Sequence, residues 1–441
     1  MSNNKMTFNI LTNCCEPSLK VESSKWPIAI IGAGPIGLAA AAHLSAKNEK
    51  FVILESGHSV GSNILKWGHV RLFSSWHYNV DKVAVSLLED NGWRAPDMKR
   101  LPFGKELVEE YLLPIAELPQ IKPHIQLNAK VVAVSKLGLD KMKNTERDEQ
   151  SFILYVESDG HTERIQAKAV IDATGTWSQP NPLNADNVWT QQEKSLSSRI
   201  TYGIPDIKGK DRTTFEHKHV AVVGGGHSAI NTILELANLK GTEISWILRK
   251  NRIDAIYGGE ALDALPARGQ LGSRIHQLVD SGIINVYTPF LIHQVIEEDG
   301  ALTIQGSSKH EDSSIHNIDQ IISNTGSRPD FSFTREIRLD IDPSTESVSA
   351  LAPLIDPNIH SCGTVRPHGE AELRQPEKNF YIVGMKSYGR APTFLMATGY
   401  EQVRSIVAHL TGDHAAAQRV ELDLPETGVC SSNISGKSGC C

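Results

Sequence analysis

Residues 28–55 carry the pattern that most narrows what this chain can fold into. Ile28 to Ile31 is an unbroken apolar run, as expected of a strand buried on both faces of a parallel sheet. Gly32-Ala33-Gly34-Pro35-Ile36-Gly37 follows and opens an alanine-rich helical stretch. Gly32 allows a tight turn, Gly34 lets backbone approach a pyrophosphate, and Gly37 lets helix and strand pack closely. The free N–H groups and positive dipole end of the helix then face the phosphates. A second apolar run, Phe51–Leu54, leads into Glu55, 18 residues past Gly37. That carboxylate is placed to accept hydrogen bonds from a ribose diol.

The pattern recurs. Val220–Val223 is a second apolar run, followed by Gly224-Gly225-Gly226-His227-Ser228-Ala229 and a helical stretch. Ala229 takes the third glycine position, and His227 lies inside the turn. The next strand ends on Arg249 and Lys250, with Arg252 close by, rather than on an acid. Cations there pair with a 2′-phosphate that a carboxylate repels, so the spacing predicts a site for NADP. Two further apolar strands run into glycine turns: one at Ala173-Thr174-Gly175 within AVIDATGTW, the other at Asn324-Thr325-Gly326. Polar segments 137–150 and 306–316 read as exposed hairpin tips, and a late helix is expected to start at Thr393 or earlier.

With 441 residues, two or three domains are expected. A net charge of −7 provides no basic field for nucleic acid. No apolar run reaches the roughly 18 residues of a membrane span, and the N-terminus makes a poor signal peptide. The expected location is cytoplasmic, where thiols stay reduced.

Five of the six cysteines sit at the two ends: Cys14 and Cys15, then Cys430, Cys440 and Cys441. Chance gives roughly 0.1 adjacent Cys-Cys pairs at this composition, and the chain has two. A disulfide between neighbours ties nothing distant together. The body holds only Cys362, which fits a core position. No histidine spacing suggests a metal centre.

In the order GAGPIG, ATGTW, GGGHSA and a late ATGY, the chain resembles the two-dinucleotide-binding flavoproteins, and most closely their flavin-containing monooxygenase branch. The resemblance covers about residues 26–412. It implies an α/β fold of two Rossmann-like dinucleotide-binding domains, with an NADPH domain inserted in a split FAD domain. The implied layout is a flexible segment at 1–23, FAD-binding parts at 24–205 and 325–424, an NADPH domain at 206–324, and a flexible tail at 425–441. FAD would be held by Gly32, Gly34, Pro35, Gly37, Glu55, Ala173, Thr174 and Gly175, and NADPH by Gly224, Gly226, His227, Ser228, Ala229, Arg249 and Lys250. Residues 67–81 look like the flavin-edge segment of such enzymes, which places Trp67, Arg71, Ser74 and Trp76 near the ring.

Two departures stand out. The F-x-G-x-x-x-H-x-x-x-W/Y fingerprint found in much of that branch is missing, and so is the late Gly-Asp contact to the FAD diphosphate. Gly384, Met385 and Lys386 occupy the second position and are expected to do a related job. The related disulfide oxidoreductases use a cysteine pair beside the flavin, and the body has no such pair.

The paired cysteines joined to this core also resemble the flavin monooxygenases of arsenic-resistance systems. That resemblance implies a trivalent organoarsenical substrate, with Cys14, Cys15, Cys430, Cys440 and Cys441 as its thiolate ligands and oxygen as co-substrate. Three alternatives stay open: oxygenation of an organic amine or sulfide, NADPH-dependent flavin reduction without oxygenation, and a nucleotide-sensing carrier of metalloid. The oligomeric state is left open.

Overall fold

The computed structural model describes residues 25–258, 266–358, 365, 368–391 and 394–422. All six cysteines, the expected flexible ends and Thr393 lie outside these residues. In chain order the strands are β1 Ile28–Ile31, β2 Phe51–Leu54, β3 Ile125–Gln126, β4 Lys130–Lys136, β5 Phe152–Ser158, β6 His161–Ala167, β7 Ala169–Asp172 and β8 Ile200–Tyr202. They continue as β9 His219–Val223, β10 Glu243–Ile247, β11 Ile284–Tyr287, β12 Leu291–Glu298, β13 Ala301–Ser308, β14 Glu311–Ile318, β15 Gln320–Ser323 and β16 Phe380–Ile382. Three helices position the site: α1 Pro35–Ala46, α2 His227–Leu236 and α3 Met396–Leu410.

Two parallel sheets organise the molecule. The first runs β16-β7-β1-β2-β3 and the second β11-β10-β9-β15-β8. β1 is flanked by β2 and β7, with Ile28 opposite both Phe51 and Ala169. Covered on both faces, it has no polar side to present, which explains its unbroken apolar run. β9 holds the same place between β10 and β15. Helix α1 is buried from Ile36 through Ala42 and at Leu44. Its alanines let it sink between the first sheet and α3, so no polar face is needed.

The first sheet takes strands from 28–172 and from 380–382, and the second sheet is formed entirely from 200–323. This is the expected α/β architecture, with one Rossmann-like half inserted in the other. Two antiparallel meanders, β4-β5-β6 and β12-β13-β14, extend from the two halves.

Several boundaries differ from the sequence expectation. β8 pairs with β15 in the second sheet, ahead of the expected start at 206. The late helix begins at Met396. Residues 306–316 do form a hairpin, which turns at Lys309 and His310, both with positive φ. The 137–150 connection is not simply an exposed tip. Its Arg147 is buried and pairs with buried Glu377 at 2.7 Å, and it also donates to the carbonyls of Asp140 and Glu336. A guanidinium with five donors can be buried only with such a set of acceptors.

Candidate active site

The first glycine loop closes against the end of β7. Gly32 has φ +100°, and a Cβ there would lie 2.9 Å from the Ala173 carbonyl oxygen. A Cβ on Gly37 would lie 2.0 Å from the Gly32 oxygen. Gly34 is different, because a Cβ there would meet nothing within 4 Å. It faces open space, and it caps α1 with no side chain engaging the first-turn N–H groups. An anion can occupy that position. Glu55 Oε2 accepts from Ala33 N–H and Oε1 from Gly57 N–H, each at 2.7 Å. The carboxylate therefore holds the loop in shape, and each oxygen keeps a lone pair for a ribose hydroxyl. Gly32, Ala173 and Thr174 meet here, next to Gly34, Pro35, Gly37 and Glu55, while a Cβ on the following Gly175 would meet nothing within 4 Å.

Lys386 does not behave as expected. Its side chain is fully buried, with Nζ donating to Asp172 Oδ2 at 2.6 Å and to Thr174 Oγ1 at 3.2 Å. The ammonium also lies over the Phe333 ring at 4.5 Å. Asp172, equally buried, accepts from the Thr174 hydroxyl at 2.7 Å. Lys386 is thus a strut beneath the Ala173-Thr174-Gly175 turn rather than a diphosphate contact. Reaching a phosphate would leave Asp172 as an uncompensated buried charge. Gly384 donates its N–H to Gln402 Oε1 at 2.7 Å and has φ +68° with Ile36 alongside. Met385 is half-buried.

The second loop repeats the first with looser terms. A Cβ on Gly224, at φ +127°, would lie 2.3 Å from the Asn324 carbonyl oxygen, and one on Gly226 would meet nothing within 4 Å. Gly226 caps α2 without a side-chain partner. His227 and Ser228 start that helix, and Ala229 is buried beneath it. Arg249 is exposed and Lys250 half-buried just past β10. Neither side chain has an ion pair among the described residues, whereas Arg252 is paired with Asp254 at 2.7 Å.

The 67–81 segment spans the two halves. The Trp67 ring lies 6.2 Å from that of Trp177, and the Phe73 ring 5.5 Å from that of His227 on the second loop. Arg71 is exposed, 4.6 Å above the Phe103 ring. Trp67 meets Trp177, which follows the Ala173-Thr174-Gly175 turn, and Arg71 meets Phe103, whereas Ser74 and Trp76 turn inward. Trp76 is fully buried in the first core, and the Ser74 hydroxyl donates to Asn79 Oδ1 at 2.9 Å. They secure the segment and present no surface to a ring. Asn79 is held in turn by the Tyr400 hydroxyl, which donates to its carbonyl at 2.7 Å. Phe73 and Asp172 were not expected in the site. Phe73 lies within 67–81, but its partner is 154 positions away in sequence.

The family model for pyridine nucleotide-disulphide oxidoreductases matches residues 29–350. The chain belongs to this family. It is 23% identical over 344 residues to a ferredoxin–NADP reductase of Ligilactobacillus salivarius, covering 77% of this chain and 82% of that one. Its fold is similar to the bacillithiol disulfide reductase Bdr of Bacillus cereus, with TM-score 0.65 and 19% identity over 88% of this chain and 99% of that one. It is also similar to an ornithine N-hydroxylase of Kutzneria, with TM-score 0.59 and 14% identity over 88% and 99%. The protein is therefore a flavin- and NADP-dependent oxidoreductase. The open faces of Gly34 and Gly226 and the uncapped starts of α1 and α2 fit the pyrophosphates of FAD and NADPH. No described helix is long and apolar enough to cross a membrane.

Proposed function

We propose that this enzyme is an FAD- and NADPH-dependent monooxygenase that oxidises a trivalent organoarsenical, methylarsenite, to its pentavalent form. The distribution of thiols in the sequence carries this reading: one cysteine in the body and five at the ends. A single body cysteine cannot form the dithiol that would relay electrons from a flavin, so the electrons pass to an external acceptor. The end cysteines are soft, chelating ligands for trivalent arsenic, whose lone pair makes it oxidisable. In balance, one oxygen atom of O2 joins arsenic and the other leaves as water, with NADPH and a proton consumed.

FAD supplies the electron and oxygen chemistry when bound. The protein's part is to bind, orient and exclude water. In this reading Trp67, Phe73 and Trp177 line the space beside the cofactors and help keep water out. Arg249 and Lys250 take the 2′-phosphate, and the FAD parts are those flanking the inserted NADPH unit. The test uses FAD-loaded protein. Methylarsenite should accelerate NADPH oxidation, and replacing Cys440 and Cys441 by serine should raise its half-saturating concentration. No acceleration by methylarsenite would contradict the reading, and an unchanged half-saturation would remove the capture role.

A second reading, NADPH-dependent reduction without oxygenation, is favoured by the ferredoxin–NADP reductase relative, which this chain matches over most of its length. Oxygen uptake separates the two.

A further inference from the structure

Nucleotides bind at the carboxyl ends of the strands, and the opposite end of the first sheet holds a different feature. A half-open cavity of about 280 Å3 lies beside Ala169, the first residue of β7, and Leu410, the last of α3. That volume is at the small end of ligand sites, enough for a molecule of amino-acid size. Its polar lining comes from separate parts of the chain. Asp148 and Gln150 belong to the 137–150 connection, Lys168 precedes β7, Asn379 precedes β16, and His409 closes α3. The fold does not use these groups up. The side chains of Asp148, Gln150 and Asn379 make no hydrogen bond or ion pair among the described residues. Lys168 Nζ donates to Glu49 at 2.6 Å, which leaves two of its three N–H groups. The Lys136 ammonium is committed to the Gln150 carbonyl at 3.0 Å, and Arg147 to Glu377. Burial pushes the His409 imidazole down from its ordinary value, so the ring is uncharged at neutral pH. The ionised groups lining the cavity are then one free carboxylate and one partly engaged ammonium. Opposite charges in one small cavity suit a ligand that carries both. A lone cation or anion would leave one of them unmatched, and an apolar molecule would desolvate the two amides without a partner.

We infer that this cavity is a binding site for a small zwitterion of the α-amino acid class, its ammonium donating to Asp148 and its carboxylate accepting from Lys168. β7 leads from the cavity to Asp172, and α3 leads back from it to Gln402 and Tyr400, which hold Gly384 and Asn79. An occupant therefore braces the FAD half from the end opposite the cofactor. The site is independent of which substrate the flavin oxidises.

Calorimetric titration of FAD-loaded protein with glycine, L-alanine, L-serine and L-glutamine tests it. Ethanolamine and acetate, each with one of the two charges, are the comparison ligands. At least one of the amino acids should bind saturably, at roughly millimolar concentration, and raise the melting temperature. The single-charge ligands should bind roughly tenfold more weakly or not at all. Asp148→Asn, an isosteric change at an exposed position, should weaken the amino acid roughly tenfold, the worth of one charge-assisted hydrogen bond. Lys168→Met should do the same, and if loss of its Glu49 pair unfolds the protein, the Asp148 variant still decides. Neither change should move NADP+ affinity. No saturable binding by any of the amino acids, equal binding by ethanolamine or acetate, or wild-type affinity in Asp148→Asn would overturn the site.

Discussion

The two nucleotide-binding halves share one plan and differ in how far they are finished. In the FAD half the third glycine, the Glu55 carboxylate and the Lys386–Asp172 pair are all committed to the protein itself. In the NADPH half the equivalent positions hold Ala229, two exposed or half-exposed cations, and a turn whose Asn324 amide oxygen lacks a partner among the described residues. A group bound throughout the life of an enzyme favours a preformed cradle. One that enters and leaves each turnover is better served by contacts completed on arrival. The meanders do not share the difference: β4–β6 is clamped to the FAD half through Arg147 and Glu377, and β12–β14 packs on the second sheet through Ile292, Leu302 and Ile304.

The largest expected break in this contrast comes from Lys386→Met, which leaves Asp172 charged and alone in the core. It should cost about 3–5 kcal/mol of stability and empty the flavin site, read by denaturant unfolding and by flavin absorbance of the purified protein. Full FAD content would show that the strut is dispensable.

The next concerns pH. Lys136 donates to the Gln150 carbonyl at 3.0 Å and lies 3.8 Å from the Phe152 ring centre. Burial pushes its ammonium down from 10.5 to about 8. Between those values the unfolded chain holds the proton and the folded chain does not. Stability therefore rises with pH across that window, by about 3 kcal/mol in total, and the penalty is present in full below it. Lys136→Met should lack this slope and be more stable at neutral pH. Parallel stability curves for the two proteins would contradict the assignment.

On the NADPH side, Arg249→Ser with Lys250→Ser should weaken NADPH by about 2 kcal/mol, leave NADH unchanged and abolish the salt dependence of binding. Equal losses for both nucleotides would place the 2′-phosphate elsewhere. The smallest effect is that of Tyr400→Phe. Burial raises the Tyr400 phenol well above its ordinary range, so it keeps its proton and donates it to the Asn79 carbonyl. Its loss should cost about 1 kcal/mol and loosen the 67–81 segment, seen as a raised KM for NADPH with FAD content intact.

How much the sequence revealed depended on distance along the chain. Gly32 to Glu55 was legible because strand, turn, helix and acid follow one another locally. Both loops, both strand-end turns and the inserted arrangement followed from such patterns. Lys386 was misread because its partner Asp172 lies 214 residues away, and nothing local separates a buried lysine from one that meets phosphate. Trp76 was misread for a similar reason, since its neighbours in the chain do not reveal that it faces the core. The end cysteines lie outside the described residues, so their role rests on their positions in the sequence.

The most direct test of the proposed oxygenation is stoichiometric. NADPH loss, oxygen uptake and pentavalent methylarsenical should be measured together on FAD-loaded enzyme supplied with methylarsenite. The account predicts that the three change in equal amounts. NADPH loss with no oxygen in the product, or with methylarsenite recovered unchanged, would contradict it.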